Sequence, residues 1–204
     1  MPRGCFILLE GIDRCGKTTQ CRLLVEALKA QGVSVEAMRF PDRTTATGKL
    51  LDAYLKQDAD LSDHAVHLLF SANRWEAAKT IQDKLYAGIT LVVDRYAYSG
   101  AAYTAAKGAA SLGWCMAADA GLPAPDLVLF LDMPISEAQR RGGFETAEFQ
   151  AKVQSMFRHI RPNADGWHAV DASRPVEEVL THILALCHVA ISQSADFPIG
   201  KLYQ

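Results

Sequence analysis

The sequence predicts a three-layer α/β fold, a mainly parallel central sheet flanked by helices, on three observations. Short runs rich in β-branched and apolar residues alternate along the chain with longer stretches of helical apolar spacing. The first run, Cys5 to Leu9, passes through the loop Gly11-Ile12-Asp13-Arg14-Cys15-Gly16-Lys17-Thr18 into a helical stretch from Thr19 to Leu28. The breakers Gly32, Pro41, Gly88 and Gly121 to Pro125 fall between runs rather than inside them.

Taken in order, Gly32 stops the first helix, and Val33 to Phe40 alternates as a second strand that Pro41 ends. Helical spacing runs from Thr47 to Lys56 and again from Ser62 to Tyr86, with a cap expected within Asp60 to Asp63. Ile89 to Val93 is a short β-branched run of the kind buried at the centre of a sheet. An Ala-rich helix is expected within Tyr96 to Gly108, a strand over Asp126 to Leu131, and a helix from Ser136 to Arg141 that Gly142-Gly143 interrupts. Glu145 to Ile160 reads as helix, Trp167 to Asp171 as the last strand, and Val176 to Ile191 as the final helix, with Pro175 at its start. The tail through Pro198 and Gly200 reads as irregular. With 204 residues, half of them apolar, and no repeats or low-complexity segments, a single domain over 1–204 is expected.

The loop from Gly11 to Thr18 fits G-x-x-x-x-G-K-[ST] in the strand–loop–helix context that gives that spacing its meaning. Glycines at both ends let the backbone turn its N–H groups inward on phosphate oxygens, and the following helix adds its N-terminal donors. In this P-loop NTPase reading, Gly11, Ile12, Asp13, Arg14, Cys15, Gly16, Lys17, Thr18 and Thr19 form the ATP-binding segment. Lys17 would bridge the β- and γ-phosphates, and the Thr18 hydroxyl would hold Mg²⁺. Arg14, inside the loop, is placed to stabilise transferring phosphoryl charge in cis; a solvated charge at a loop tip is the competing reading.

Asp94 follows the third strand directly, where a P-loop protein keeps a second Mg²⁺ partner, usually through water, and Arg95 beside it could reach an acceptor phosphate. Arg43 lies just past the second strand and is a candidate anion contact or an exposed loop charge. Phe70 and Arg74, four apart on one helix face, pair an aromatic plane with a planar donor and so suit a base, although an aromatic there is more often core. Arg140 and Arg141, just before a glycine pair, look like the root of a lid over phosphates near 140–149, with a solvated helix end as the alternative. His64 and His67 are three apart but lack a third ligand, so packing or surface is expected rather than metal.

A net charge of −2 without a basic run argues against a nucleic-acid polymer as partner. Five cysteines, an odd number without a C-x-x-C pair, point to reduced thiols in an intracellular protein; a cytoplasmic setting is expected, although the sequence does not distinguish cytoplasm from nucleus or organelle. Cys15 could be a redox-sensitive thiolate or simply fill a variable loop position. No apolar run approaches the roughly 20 residues of a membrane span, and the opening run is shorter than a signal-peptide core.

Together these residues resemble the thymidylate kinases of the eukaryotic and poxvirus-like kind. The resemblance rests on Glu10-Gly11-Ile12-Asp13-Arg14, Phe40-Pro41-Asp42-Arg43, the block Asp63 to Glu76, and Asp94-Arg95-Tyr96-Ala97-Tyr98-Ser99-Gly100, with Pro125 to Val128 and Val170 to Ser173 adding to it. It implies transfer of the γ-phosphate of ATP to dTMP, with Mg²⁺ and in a homodimer. By position, Arg43 and Arg95 would bind the dTMP phosphate, Phe70 would stack on thymine, Arg74 would bond its O4, and Asp13 would meet the sugar 3′-hydroxyl. Tyr103 would lie beneath the sugar and disfavour a ribose 2′-hydroxyl, and Phe40, Ser99, Gly100 and Gln150 complete the dTMP-binding set. The lid segment Arg141 to Thr146 is shorter than relatives carry and lacks their tyrosine; Glu145 and Gln150 are the residues available to stand in for part of it. The readings that compete are a deoxynucleoside kinase, whose acceptor has no phosphate for Arg43 and Arg95, and a nucleotide-binding protein without catalysis.

Overall fold

The computed structural model describes residues 2–142, 145–160 and 166–203. Five strands, β1 (Phe6–Glu10), β2 (Val35–Arg39), β3 (Thr90–Asp94), β4 (Leu127–Asp132) and β5 (Trp167–Asp171), form one parallel sheet in the order β2-β3-β1-β4-β5. β1 pairs with β3 in the register Phe6↔Leu91 and with β4 in the register Ile7↔Leu127. Every residue of β1 and β3 is buried, which is why both read as unbroken apolar or β-branched runs rather than alternating ones. Edge strand β2, by contrast, shows one buried residue in five, and its sequence alternates accordingly.

The helices are α1 (Lys17–Ala30), α2 (Ala46–Leu55), α3 (Asp63–Tyr86), α4 (Ala97–Ala106), α5 (Leu112–Ala117), α6 (Ile135–Arg140), α7 (Ala147–Ile160) and α8 (Val176–Ser194). α1 and α8 pack together against the sheet, while α3, α4 and α7 form a separately packed group, giving the three layers expected. The cap of α3 is Ser62, whose side chain accepts from Ala65 N. α5 was not anticipated; Ser111 starts it by accepting from Trp114 N at 3.2 Å. Nor is the tail wholly irregular, since Lys201 forms an antiparallel bridge with Pro123 and Leu202 exchanges backbone hydrogen bonds with the 121–122 turn.

Two features of this topology position the site. The chain winds from β1 to β2 and β3 on one side of it and then to β4 and β5 on the other, so the crevice of the sheet opens at the carboxyl end of β1, where the glycine loop begins. Asp126, just before β4, accepts from Phe6 N at 2.8 Å and from both terminal nitrogens of Arg3, which ties the start of β1 to β4.

Candidate active site

The loop between β1 and α1 is closed around its own lysine. Lys17 is buried, and its Nζ donates to Gly11 O at 3.0 Å and Ile12 O at 2.6 Å, with Cys15 Sγ at 3.4 Å. Gly16 caps α1 in the left-handed region at φ 97°. A Cβ on Gly11 would lie 2.7 Å from Leu131 O and 2.8 Å from Cys15 Sγ, so the strand next door leaves room for hydrogen only. Ile12 and Cys15 face the core, whereas Arg14, Thr18 and Thr19 are exposed. Arg14 holds φ at +66°, and Arg95 holds it at +69°. Such backbone is costly for a side-chain-bearing residue and gathers at functional sites; of the four non-glycine instances among the described residues, Arg14, Gln57, Arg95 and Tyr203, two fall on arginines singled out from the sequence. From the far side Arg141 reaches over the loop, its Nη1 lying 4.0 Å from the Cβ position of Gly16. Arg140 turns back to Ser136 O and Glu137 on its own helix.

Thr18 Oγ1 donates to Asp94 Oδ2 at 2.7 Å, so the end of β3 meets the first turn of α1. The other oxygen of Asp94, Oδ1, is buried without a partner among the described residues. Its spare lone pairs, next to a hydroxyl at a glycine loop, are the hard oxygen donors that suit Mg²⁺.

Beside the loop lies a cavity of about 720 Å³ whose wall includes Asp13, Phe40, Arg43, Phe70, Arg74, Arg95, Ser99, Gly100 and Tyr103. With the 54–60 segment and Glu145, residues from six separate stretches of sequence reach one space. Arg95 bonds Asp13 and donates from Nη1 to Ser99 Oγ at 3.2 Å; its Cζ sits 5.3 Å from the centroid of the Tyr103 ring. Burial opposes its charge, but Tyr103 and the carboxylates of Asp13, Glu10 and Asp94 outweigh that, so its pKa lies above the ordinary value. Arg43 is half exposed at the rim and pairs with Asp52 at 2.8 Å. Its loop is anchored by Asn73, which accepts from Asp42 N and donates to Asp42 O, Thr45 and Thr47. Phe40 is buried, its ring 5.4 Å from that of Tyr96.

Arg74 is more constrained than its sequence position suggests. Nε and Nη2 donate to the two oxygens of Asp119 at 3.0 and 2.7 Å, and the pair is 2 % and 0 % exposed. That leaves Nη1 for the cavity that Arg74 lines. A Cβ on Gly100 would stand 2.9 Å from Nη2 and 3.0 Å from Nη1, so glycine there admits the guanidinium. Asp119 was not found by sequence reasoning, because its partner lies 45 residues away. Glu10 was noted only as part of a motif, yet it is fully buried and accepts from Tyr96 N and Ser99 N, both at 3.0 Å, and from Ser99 Oγ. Burial pushes its pKa up, against the pull of Ser99 and Arg95. A lone carboxylate ending a wholly apolar strand was the available signal.

Gly143 and Phe144 lie outside the described residues. Glu145 lines the cavity, but Gln150 does not; it is fully buried in α7, and both its amide atoms are without partners among the described residues. It lies on the inner face of α7, with its amide free to bond among the described residues. His67 is a packing residue, bonded to Thr104 Oγ1 and Cys115 O at 2.9 Å each.

The thymidylate kinase family profile matches residues 9–183 of this chain. Thymidylate kinase from Danio rerio is 49 % identical over 208 residues, covering 99 % of this chain and 98 % of that protein, and the Homo sapiens enzyme matches with the same identity and coverage. The solved thymidylate kinase of Candida albicans superposes with a TM-score of 0.88 at 36 % identity, covering 98 % of each chain. With its glycine loop, its arginine-lined cavity and this likeness over nearly its whole length, the chain belongs to the thymidylate kinase family.

Proposed function

We propose that the cleft holds two nucleotides end to end, ATP on the glycine loop and dTMP in the neighbouring cavity, and that the γ-phosphoryl group of the first passes to the second to give dTDP and ADP. The observation that carries this is the convergence of Arg43 and Arg95 on one cavity that also holds Phe70 and Arg74 and abuts the loop through Asp13. Two guanidinium groups suit a phosphate dianion, and an aromatic plane with a fixed planar donor suits a pyrimidine base. Arg74 Nη1 is the donor toward the base oxygen, Tyr103 lies under the sugar, and Asp13 takes the 3′-hydroxyl. Phe40, Ser99 and Gly100 form the wall against which dTMP rests.

On the donor side the loop amides and Lys17 receive the ATP phosphates. Lys17 gives up its bonds to Gly11 O and Ile12 O for phosphate oxygens of higher charge. Arg14 and Arg141 bring guanidinium groups to the loop from two directions, and Arg95 orients the attacking phosphate oxygen; the arginines stabilise charge as it spreads over the transferring group. Thr18 and Asp94 would hold Mg²⁺, Asp94 through water, and the ion when bound neutralises phosphate charge. Gly11, Ile12, Asp13, Cys15, Gly16 and Thr19 complete the donor loop, with Arg140 at the base of a short lid near 140–149.

We further propose a homodimer and a cytoplasmic setting within a single domain. Leu68 and Trp75, 50 % and 43 % exposed and seven apart on α3, form an apolar stripe that Trp114 extends at 38 % exposure, a surface suited to a second copy. All five cysteines are free thiols, as a reducing compartment allows, and among the described residues no helix is long and apolar enough to cross a membrane.

The test is a coupled ADP-release assay over a panel of nucleoside monophosphates and thymidine. ADP formed with dTMP and not with thymidine is the expected result. A preference for thymidine would favour the deoxynucleoside kinase reading, and no ADP with any acceptor would favour a protein that binds nucleotide without catalysis.

A further inference from the structure

Glu145 is the one carboxyl that the shortened lid brings to the acceptor cavity. Its segment is held in place where Gln139 Nε2, on α6, donates to Glu145 O at 2.9 Å. The groups around it are Asp13 from the loop after β1, Lys17 at the start of α1, Arg95 after β3, and Tyr103 and Lys107 on α4. Yet among the described residues neither Arg95 nor the two lysines pairs with it: Arg95 is bonded to Asp13 and Lys107 to Asp63, and Glu145 Oε2 is buried with no partner. An ionised carboxylate in that position would have one oxygen buried and unpaired next to a second carboxylate. A protonated one has a donor to offer to an occupant of the cavity it lines.

We propose that Glu145 binds the acceptor as a neutral carboxylic acid, donating a hydrogen bond to the same sugar 3′-hydroxyl whose proton Asp13 accepts. The proposal rests on the reading of this cavity as the dTMP site. A hydroxyl is satisfied when one group takes its hydrogen and another donates to its oxygen, and two carboxyls held in opposite protonation states do both. Arg95 bonds Asp13, which marks Asp13 as the acceptor of the two. Glu145 is pushed up to about 7, first by burial and then by Asp13, against the weaker pull of Arg95, Lys107 and Lys17. Two acids in one site are a recurrent way of dividing donor and acceptor roles.

The test is the pH profile of kcat/KM for dTMP, from about pH 5.5 to 9 at saturating ATP and Mg²⁺, in the wild type, Glu145→Gln and Glu145→Ala. In the wild type the value should fall toward a tenfold loss per pH unit, or toward a lower plateau, above an apparent pKa near that of Glu145. Glu145→Gln, which keeps a donor but cannot ionise, should abolish that fall while staying within about threefold of wild type at the acid end. Glu145→Ala should also lack the fall but raise the KM for dTMP about tenfold, the size of one lost hydrogen bond. A monophosphate lacking the 3′-hydroxyl should show no fall even with the wild type. A descending limb that survives in Glu145→Gln, or a Gln variant as impaired as the Ala variant, overturns the proposal. Absence of any dTMP-dependent ADP release by the wild type at every pH would instead overturn the dTMP reading beneath it.

Discussion

Replacing Asp119 with alanine removes the sole carboxylate described on Arg74 and leaves a guanidinium that is 2 % exposed without its counter-charge. Two charge-assisted hydrogen bonds, at 3.0 and 2.7 Å, go with it, and Ser71 Oγ loses an acceptor at 2.8 Å. Breaking one side of such a buried pair costs about 3–5 kcal/mol, a large part of the roughly 5–15 kcal/mol by which a domain is stable. For a chain of this size that is a fall in Tm of roughly 6–20 °C, at about 2–4 °C per kcal/mol. Urea unfolding and thermal melts measure it directly. The double variant Arg74→Met with Asp119→Leu separates stability from recognition. An apolar pair of similar volume should recover most of the lost stability, whereas the KM for dTMP should stay raised because the donor toward the base is gone. A loss below about 1 kcal/mol for Asp119→Ala would refute the argument, since that is the range of exposed ion pairs. Recovery of dTMP affinity in the double variant would refute the role given to Arg74.

Arg14→Ala should lower turnover on the order of 10³-fold with little change in either Michaelis constant, as loss of a contact made mainly in the transition state does; unchanged turnover in steady-state assays removes it from the mechanism. Arg95→Ala should raise the KM for dTMP about tenfold to a hundredfold, the size of one or two lost charge-assisted bonds, and titration calorimetry with dTMP alone should show the same loss. Gly11→Ala places a methyl 2.7 Å from Leu131 O, so ATP binding should be lost while circular dichroism stays native; normal ATP affinity would show that the loop can shift to admit it.

Much of this architecture was legible because apolar periodicity reports burial. β1 and β3 are buried along their whole length and read as continuous runs, β2 at the edge alternates, and the loop between β1 and α1 announces itself by its glycine spacing. The six residues of α5 are too few to display a helical period, and their start depends on one serine cap. The burial of Gln150 with its amide unpartnered was not legible, because helical spacing tells which residues share a face but not which neighbour that face meets. The partnership of Arg74 with Asp119, and the left-handed backbone at Arg14 and Arg95, depend on contacts between distant segments that no local pattern encodes. Glu10 was within reach, since a charged residue closing a buried strand must be answered by donors somewhere in the fold.

Asp13 belongs to the glycine loop, whereas the arginine it bonds faces the other cavity. A phosphate bound at Arg95 would compete with that carboxylate, and a displaced Asp13 would bear on the loop that surrounds Lys17. Were filling one chamber to break this pair, the free energy of filling the other would change, and thermodynamic linkage would make the influence equal in both directions. This ion pair is the point at which the two halves of the cleft meet.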